Sequence, residues 1–215
     1  MEQLSGTAAP VVLRKRRDVW RDLARILSTI FNPFLSVLAL CVILAHTLAS
    51  SSTLSFWRLA FLTTFFTSIG PMLFIFWMYS TDRITDLDMS NRLERERIFG
   101  AIVVFYIAGT IALWLTHSPR LLVATLLGYT LSTVVVQYIT RYWKISTHAL
   151  GITAPLVVLC LLYGDEPLPL LVLIPAICWA RVYLRAHTVM QVVAGAVLAT
   201  FSVGLFFKIF HVGRL

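Results

Sequence analysis

The sequence predicts an all-α fold, a polytopic transmembrane helix bundle of six to seven spans. Two observations carry this reading. Of the 215 residues, 59% are hydrophobic and 13% charged, with a mean hydropathy of +0.84, whereas a soluble domain is about 45–50% apolar and about 25% charged. The apolar residues also fall in runs close to the length of about 20 that crosses a hydrocarbon core of about 30 Å, and short polar segments separate them. This composition excludes a disordered chain, a disulfide scaffold and a secreted repeat protein, and it argues against a water-soluble enzyme.

The elements follow in order. Residues 1–27 form a polar N-terminal segment with a basic cluster, Arg14-Lys15-Arg16-Arg17. It ends in a short interfacial helix that sets Trp20, Leu23 and Ile26 against Arg21 and Arg25. Residues 28–215 make one transmembrane domain. Its first span is 28–49, reached through Asn32-Pro33; the second is 54–79, with a kink at Gly70-Pro71 that neighbouring helices tolerate. A charged segment, 81–97, leads to spans 98–116 and 119–140, joined by a turn at His117-Ser118. Spans 149–163 and 168–184 are short and flank Gly164-Asp165-Glu166-Pro167, and 188–210 is the last. Cys41, Cys160 and Cys178 sit inside apolar runs without CxxC spacing and read as small buried hydrophobes.

Seven spans place the termini on opposite faces. Of the 18 Lys and Arg residues, fourteen then lie on the side of the N-terminus, leaving Arg58, Arg120, Lys208 and Arg214 on the other. Cytoplasmic loops carry the excess of Lys and Arg, so the N-terminal face is expected in the cytoplasm. Eight of the fourteen belong to the candidate site, and six against four is the independent count. Because the net charge of +8 is not gathered on one solvated face, it does not imply a nucleic-acid partner.

The three loops on that face concentrate polar chemistry. The first, 82–97, holds Asp82, Asp86, Asp88, Arg92, Glu94, Arg95, Glu96 and Arg97. The second, 141–148, holds Arg141, Lys144, Ser146 and His148; the third, 180–191, holds Arg181, Arg185, His187 and Gln191. Charged groups at membrane depth are costly, and by default they mark function. Guanidinium and ammonium groups converging with two imidazoles suit a phosphate-bearing ligand, because Arg donates in a planar fork and imidazole can carry protons or attack phosphorus.

In these segments the chain resembles the type 2 phosphatidic acid phosphatase superfamily, integral membrane lipid phosphatases with the pattern K-x6-R-P, P-S-G-H and S-R-x5-H-x3-D. Arg181, His187 and Gln191 keep the third spacing, and Val192 and Gly195 extend it; Ala180 and Gln191 replace the family's Ser and Asp. In the second segment Ser146 and His148 match, while Ile145 and Thr147 stand in place of Pro and Gly. The first segment offers Arg92, Arg95 and Arg97 without the family spacing. The resemblance covers residues 80–200 and points to a divergent prokaryotic branch.

The resemblance implies a hydrolase in which His187 attacks phosphorus to form a phosphohistidine, His148 protonates the leaving lipid oxygen and Arg181 binds the phosphoryl oxygens. Lys144, Arg92 and Arg95 join by their chemistry as anion clamps, with Ser146 beside them. Neutralising charge with Arg and Lys requires no metal and no cofactor. The implied partner is a lipid or isoprenoid phosphate held in the bilayer. Gln191, one turn beyond His187, can accept a hydrogen bond and fix the imidazole tautomer but supplies no negative charge; Asp86, Asp88 or Glu94 is the expected source of that charge. Two other readings compete: a catalytically inactive member that binds anionic lipid headgroups, and a Mg²⁺-dependent prenyltransferase-like enzyme using the aspartates of the first loop.

Overall fold

The computed structural model describes residues 18–49, 52–86 and 91–213, and among them every regular element is helical. The basic cluster 14–17, Asp88 and Arg214 lie outside the described residues. Helix α1 (Val19–Ile30) opens on Asp18, whose side chain accepts the Arg21 N–H at 3.2 Å. Asn32 caps the next helix, α2 (Pro33–Leu48), accepting the Phe34 N–H at 2.8 Å with Pro33 in the first turn. The expected first span is therefore divided: Ser28 ends up in α1, and α2 leaves at a 45° bend.

Three segments then run on as one 28-residue helix: α3 (Thr53–Thr64), a π-helical turn (Phe65–Ile69) and α4 (Gly70–Ser80). Pro71 cannot donate within a helix and crowds the preceding turn; the chain widens just before it, and the Gly70 N–H reaches back to the Phe65 carbonyl. The remaining helices are α5 (Arg92–Leu115), α6 (Arg120–Ile139), α7 (Thr147–Tyr163), α8 (Leu173–Tyr183), preceded by a 3₁₀ turn (Leu168–Val172), and α9 (Val189–Ile209). The charged segment 92–97, expected as loop, forms the first turns of α5 because Asn91 caps it, accepting from the Leu93 N–H at 3.0 Å.

Four of these helices are long and apolar enough to cross a membrane: Thr53–Ser80, α5, α6 and α9. A fifth joins them if the bent α1–α2 pair is one span. The shorter α7 and Leu168–Tyr183 segments fall below that length. The bundle explains the brevity of α7. Every residue from Ala149 to Leu156 is buried, so α7 is apolar all round because it is enclosed by neighbours. Close approaches at two glycines set its position. A Cβ at Gly151 would stand 2.4 Å from that of Pro33, and one at Gly195 would stand 2.6 Å from the Ser146 carbonyl oxygen. The second contact seats α9 against the turn that enters α7, where the two histidine-bearing segments meet.

Candidate active site

The local geometry of the α8–α9 connection is written in its sequence. After α8 ends, Arg185 takes a left-handed backbone conformation (φ 56°), and the N–H groups of Ala186 and His187 both return to the Arg181 carbonyl at 3.0 and 3.3 Å. Thr188 and Gln191 form a capping box: the Thr188 hydroxyl accepts the Gln191 N–H at 3.4 Å, and Gln191 Oε1 accepts the Thr188 N–H at 3.1 Å. His187 is thus fixed just outside the start of α9. On the other segment, Ser146 caps α7 by accepting the Ala149 N–H at 3.3 Å and donates its own N–H to the Gln191 carbonyl at 3.2 Å. That bond ties the two segments together and sets His148, in the first turn of α7, beside His187.

Both imidazoles open on a cavity of about 510 Å³. Five cations line it: Arg21 and Arg25 from α1, Arg95 from α5, Lys144 from the α6–α7 turn and Arg181 from α8. Ser28, Thr29, Thr140 and Thr147 add hydroxyl-bearing residues to the wall, and among the described residues no carboxylate lines it. A cavity that gathers five cations and two imidazoles is a candidate site for an anion.

His187 is 9% exposed, and its Nδ1 lies 3.2 Å from Gln191 Oε1. The same oxygen accepts the Thr188 N–H, which identifies it as the oxygen end of the amide, so the proton in the His187 contact must sit on Nδ1. In the neutral ring Nε2 then carries the lone pair. Burial, and after it the charges of Arg181 and Lys144, push the His187 pKa down to about 4, against the upward pull of the Gln191 bond; Arg95 adds to the downward shift. At neutral pH the ring is unprotonated at Nε2. His148 faces the backbone carbonyl of Ser28 and senses Arg181 and His187.

Of the residues expected from sequence, His187, His148, Arg181, Lys144 and Arg95 line the cavity, and Gln191 stands behind His187. Ser146 does not line it; the side chain is fully buried as the α7 cap. Arg92 is not brought there either, since its guanidinium points outward and pairs with Glu96 at 3.3 Å, one helical turn on. Arg141 lies 3.9 Å from the same Glu96. Of the three expected sources of negative charge, Asp88 lies outside the described residues and Glu94 is engaged elsewhere. Glu94 is buried and accepts the Thr85 N–H at 3.1 Å and the Thr85 hydroxyl at 3.2 Å, tying the 81–86 segment to α5, while Asp86 is not among the lining residues. The sequence reading missed Arg21, Arg25, Ser28 and Thr29 as site residues. Their i, i+4, i+7, i+8 spacing on one face of α1 was the available signal.

A second, apolar slot adjoins the basic cavity and shares Phe99 and Thr147 with it. One stripe of α5 runs through both: Arg95 and Phe99 in the cavity, then Phe99, Ile102 and Tyr106 in the slot. Val37, Val136 and Leu150 complete the slot's apolar wall. Among the described residues no three His, Cys, Asp or Glu side chains converge as a metal site. No family model matches the chain, and neither does any curated protein or solved structure.

Proposed function

We propose that the chain is an integral membrane phosphatase that hydrolyses a lipid or isoprenoid phosphate or diphosphate through a phosphohistidine. The observation that carries this reading is the His187 ring, held by Gln191 with its Nε2 lone pair available and set in a cavity lined by five cations. A buried imidazole that stays neutral among positive charges is a nucleophile kept ready for an anionic electrophile. Arg181, Lys144 and Arg95 bind the phosphoryl oxygens and neutralise charge as it shifts to the leaving group. Nε2 attacks phosphorus, the bond to the lipid oxygen breaks, and His148, protonated from solvent once the anionic headgroup is bound, passes that proton to the oxygen. Water then attacks the phosphohistidine, giving its proton to His148 and releasing orthophosphate.

The apolar slot supports a lipid substrate, since a headgroup at the cations leaves its hydrocarbon beside Phe99 and Ile102. The same reading has seven segments crossing the bilayer, α7 and Leu168–Tyr183 among them, because alternating crossings bring the α1, α5, α7 and α9 starts and the α6 and α8 ends to one face. The surplus of Lys and Arg on that face makes it the cytoplasmic one.

The test is phosphate release by purified protein in detergent, with EDTA, from a panel of lipid phosphates and isoprenoid diphosphates. Release that survives EDTA and is lost in both His187→Ala and His148→Ala is the expected result; release that requires Mg²⁺ sinks the histidine mechanism. One observation favours a second reading, an inactive protein that binds anionic headgroups: Gln191 brings no negative charge to His187, and among the described residues no carboxylate lines the cavity in its place. Tight lipid-phosphate binding without turnover of any substrate would establish that reading.

A further inference from the structure

We propose that α1 is the second half of the anion site, with Arg21 and Arg25 holding the lipid-linked phosphate of a diphosphate while its terminal phosphate lies at His187. The inference rests on the phosphatase reading and names the substrate class within it.

The five cations divide into two groups. Arg95, Lys144 and Arg181 line the cavity from α5, the α6–α7 turn and α8, whereas Arg21 and Arg25 line it from α1. His148 shares the cavity with both groups and meets the backbone of Ser28, one turn past Arg25 on α1. A diphosphate carries more negative charge than the about −1.5 to −2 of a monophosphate, and it reaches further along a cavity wall. Two guanidiniums on the α1 wall suit its second phosphate, with His148 and His187 on the same cavity.

The placement of α1 is built, not incidental. Tyr183 donates to the Asp18 carboxylate at 3.2 Å, Trp20 packs edge-on to Trp179 with ring centroids 6.2 Å apart, and Ala24 and Ser28 are buried. Val19, Leu23, Ile26 and Ile30 are exposed along the opposite stripe. An apolar stripe turned outward and a basic stripe turned inward suit a helix lying in the membrane interface, walling the cavity with its arginines.

The step balances without a further reactant. His187 Nε2 attacks the terminal phosphorus, the bond from that phosphorus to the bridging oxygen breaks, and its electron pair stays with the lipid monophosphate. Arg21 and Arg25 stabilise that leaving group, a phosphate monoester anion that departs without needing a proton. Water then releases orthophosphate from His187.

The experiment compares kcat/KM of the purified full-length protein for farnesyl diphosphate and farnesyl phosphate, which share one chain and differ by one phosphate. The expected wild-type preference for the diphosphate is about tenfold or more, the effect of one to two charge-assisted hydrogen bonds. Arg21→Gln/Arg25→Gln should erase most of that ratio, Arg21→Lys/Arg25→Lys should retain most of it, and Arg120→Gln, on the opposite face, should leave it unchanged. A ratio that the double Gln variant does not alter, in protein that remains monodisperse, overturns the proposal. If neither substrate turns over, the phosphatase reading fails and calorimetry with inorganic pyrophosphate and phosphate decides the site itself. Tighter pyrophosphate binding that the double Gln variant abolishes keeps the two-phosphate site, and equal binding of the two anions removes it.

Discussion

Two helix starts carry arginines at helical spacing, α1 and α5, and they use them differently. On α1 both Arg21 and Arg25 line the cavity; on α5 Arg95 does, while Arg92 pairs with Glu96 and faces away. The chemistry of the side chains is the same, so the face of the helix decides. In α5 the buried stripe is Phe99, Ile102 and Tyr106, and Arg95 lies one turn before Phe99 on that stripe. Arg92 lies one turn before Glu96, off it. In α1 the apolar residues are turned outward, so the basic stripe is left to face the bundle. A cation becomes a ligand here through the packing of the apolar residues in register with it.

The largest effect that tests this contrast is within α5. Arg95→Gln should lower kcat/KM by about 10²–10³, the usual cost of losing one donor to a developing oxyanion, and Arg92→Gln should change it less than about twofold. Comparable losses in the two variants would mean that the outward geometry of Arg92 does not persist when substrate is bound.

Much of the architecture was legible beforehand because it depends on runs of apolar residues. Asn32-Pro33, Gly70-Pro71 and the amphipathic character of α1 could all be read from the chain, as could the meeting of His148, Arg181 and His187 at one end. What escaped was the allocation of faces. Ser146 and His148 are two residues apart, yet one is a buried cap and the other a cavity residue. The acids of the first loop looked available to His187, but Glu94 is committed to Thr85, nine residues back along the chain. Arg21 and Arg25 read as the solvated side of an interfacial helix because nothing in the local sequence states that α8 lies beneath it.

Next in size is the pair His187 and Gln191. Gln191→Leu removes the acceptor that keeps the proton on Nδ1 and breaks the capping box, which by itself costs about 1 kcal/mol. The expected activity is lower by about 10–100-fold, a fraction of the loss seen when a triad Asp is replaced. Gln191→Glu returns a carboxylate to that position and favours the protonated ring; the acid side of the kcat/KM profile should then move upward.

The pH profile of the unaltered protein follows from the same geometry. Loss of nucleophile occurs only when Nε2 is protonated, and with the His187 pKa at about 4 the acid limb of kcat/KM should fall near that value, well below the ordinary imidazole value of about 6.5. Lys144→Gln removes one of the cations that disfavour the charged ring, so its limb should shift toward higher pH. A wild-type limb near 6.5 would show that burial and the surrounding charges do not hold the ring neutral.

The smallest expected effect on activity belongs to Glu94. As a buried carboxylate accepting the N–H and hydroxyl of Thr85, it holds the 81–86 segment to α5 and stands apart from the cavity-lining residues. Glu94→Gln keeps the shape but weakens charge-assisted bonds, at a cost of about 1–3 kcal/mol in stability, measurable as a lower Tm in detergent. Turnover below that Tm should remain within about twofold of wild type. If Tm were unchanged and turnover fell by tenfold or more, Glu94 would be acting on the histidine, and the negative charge missing at Gln191 would have been supplied from α5 after all.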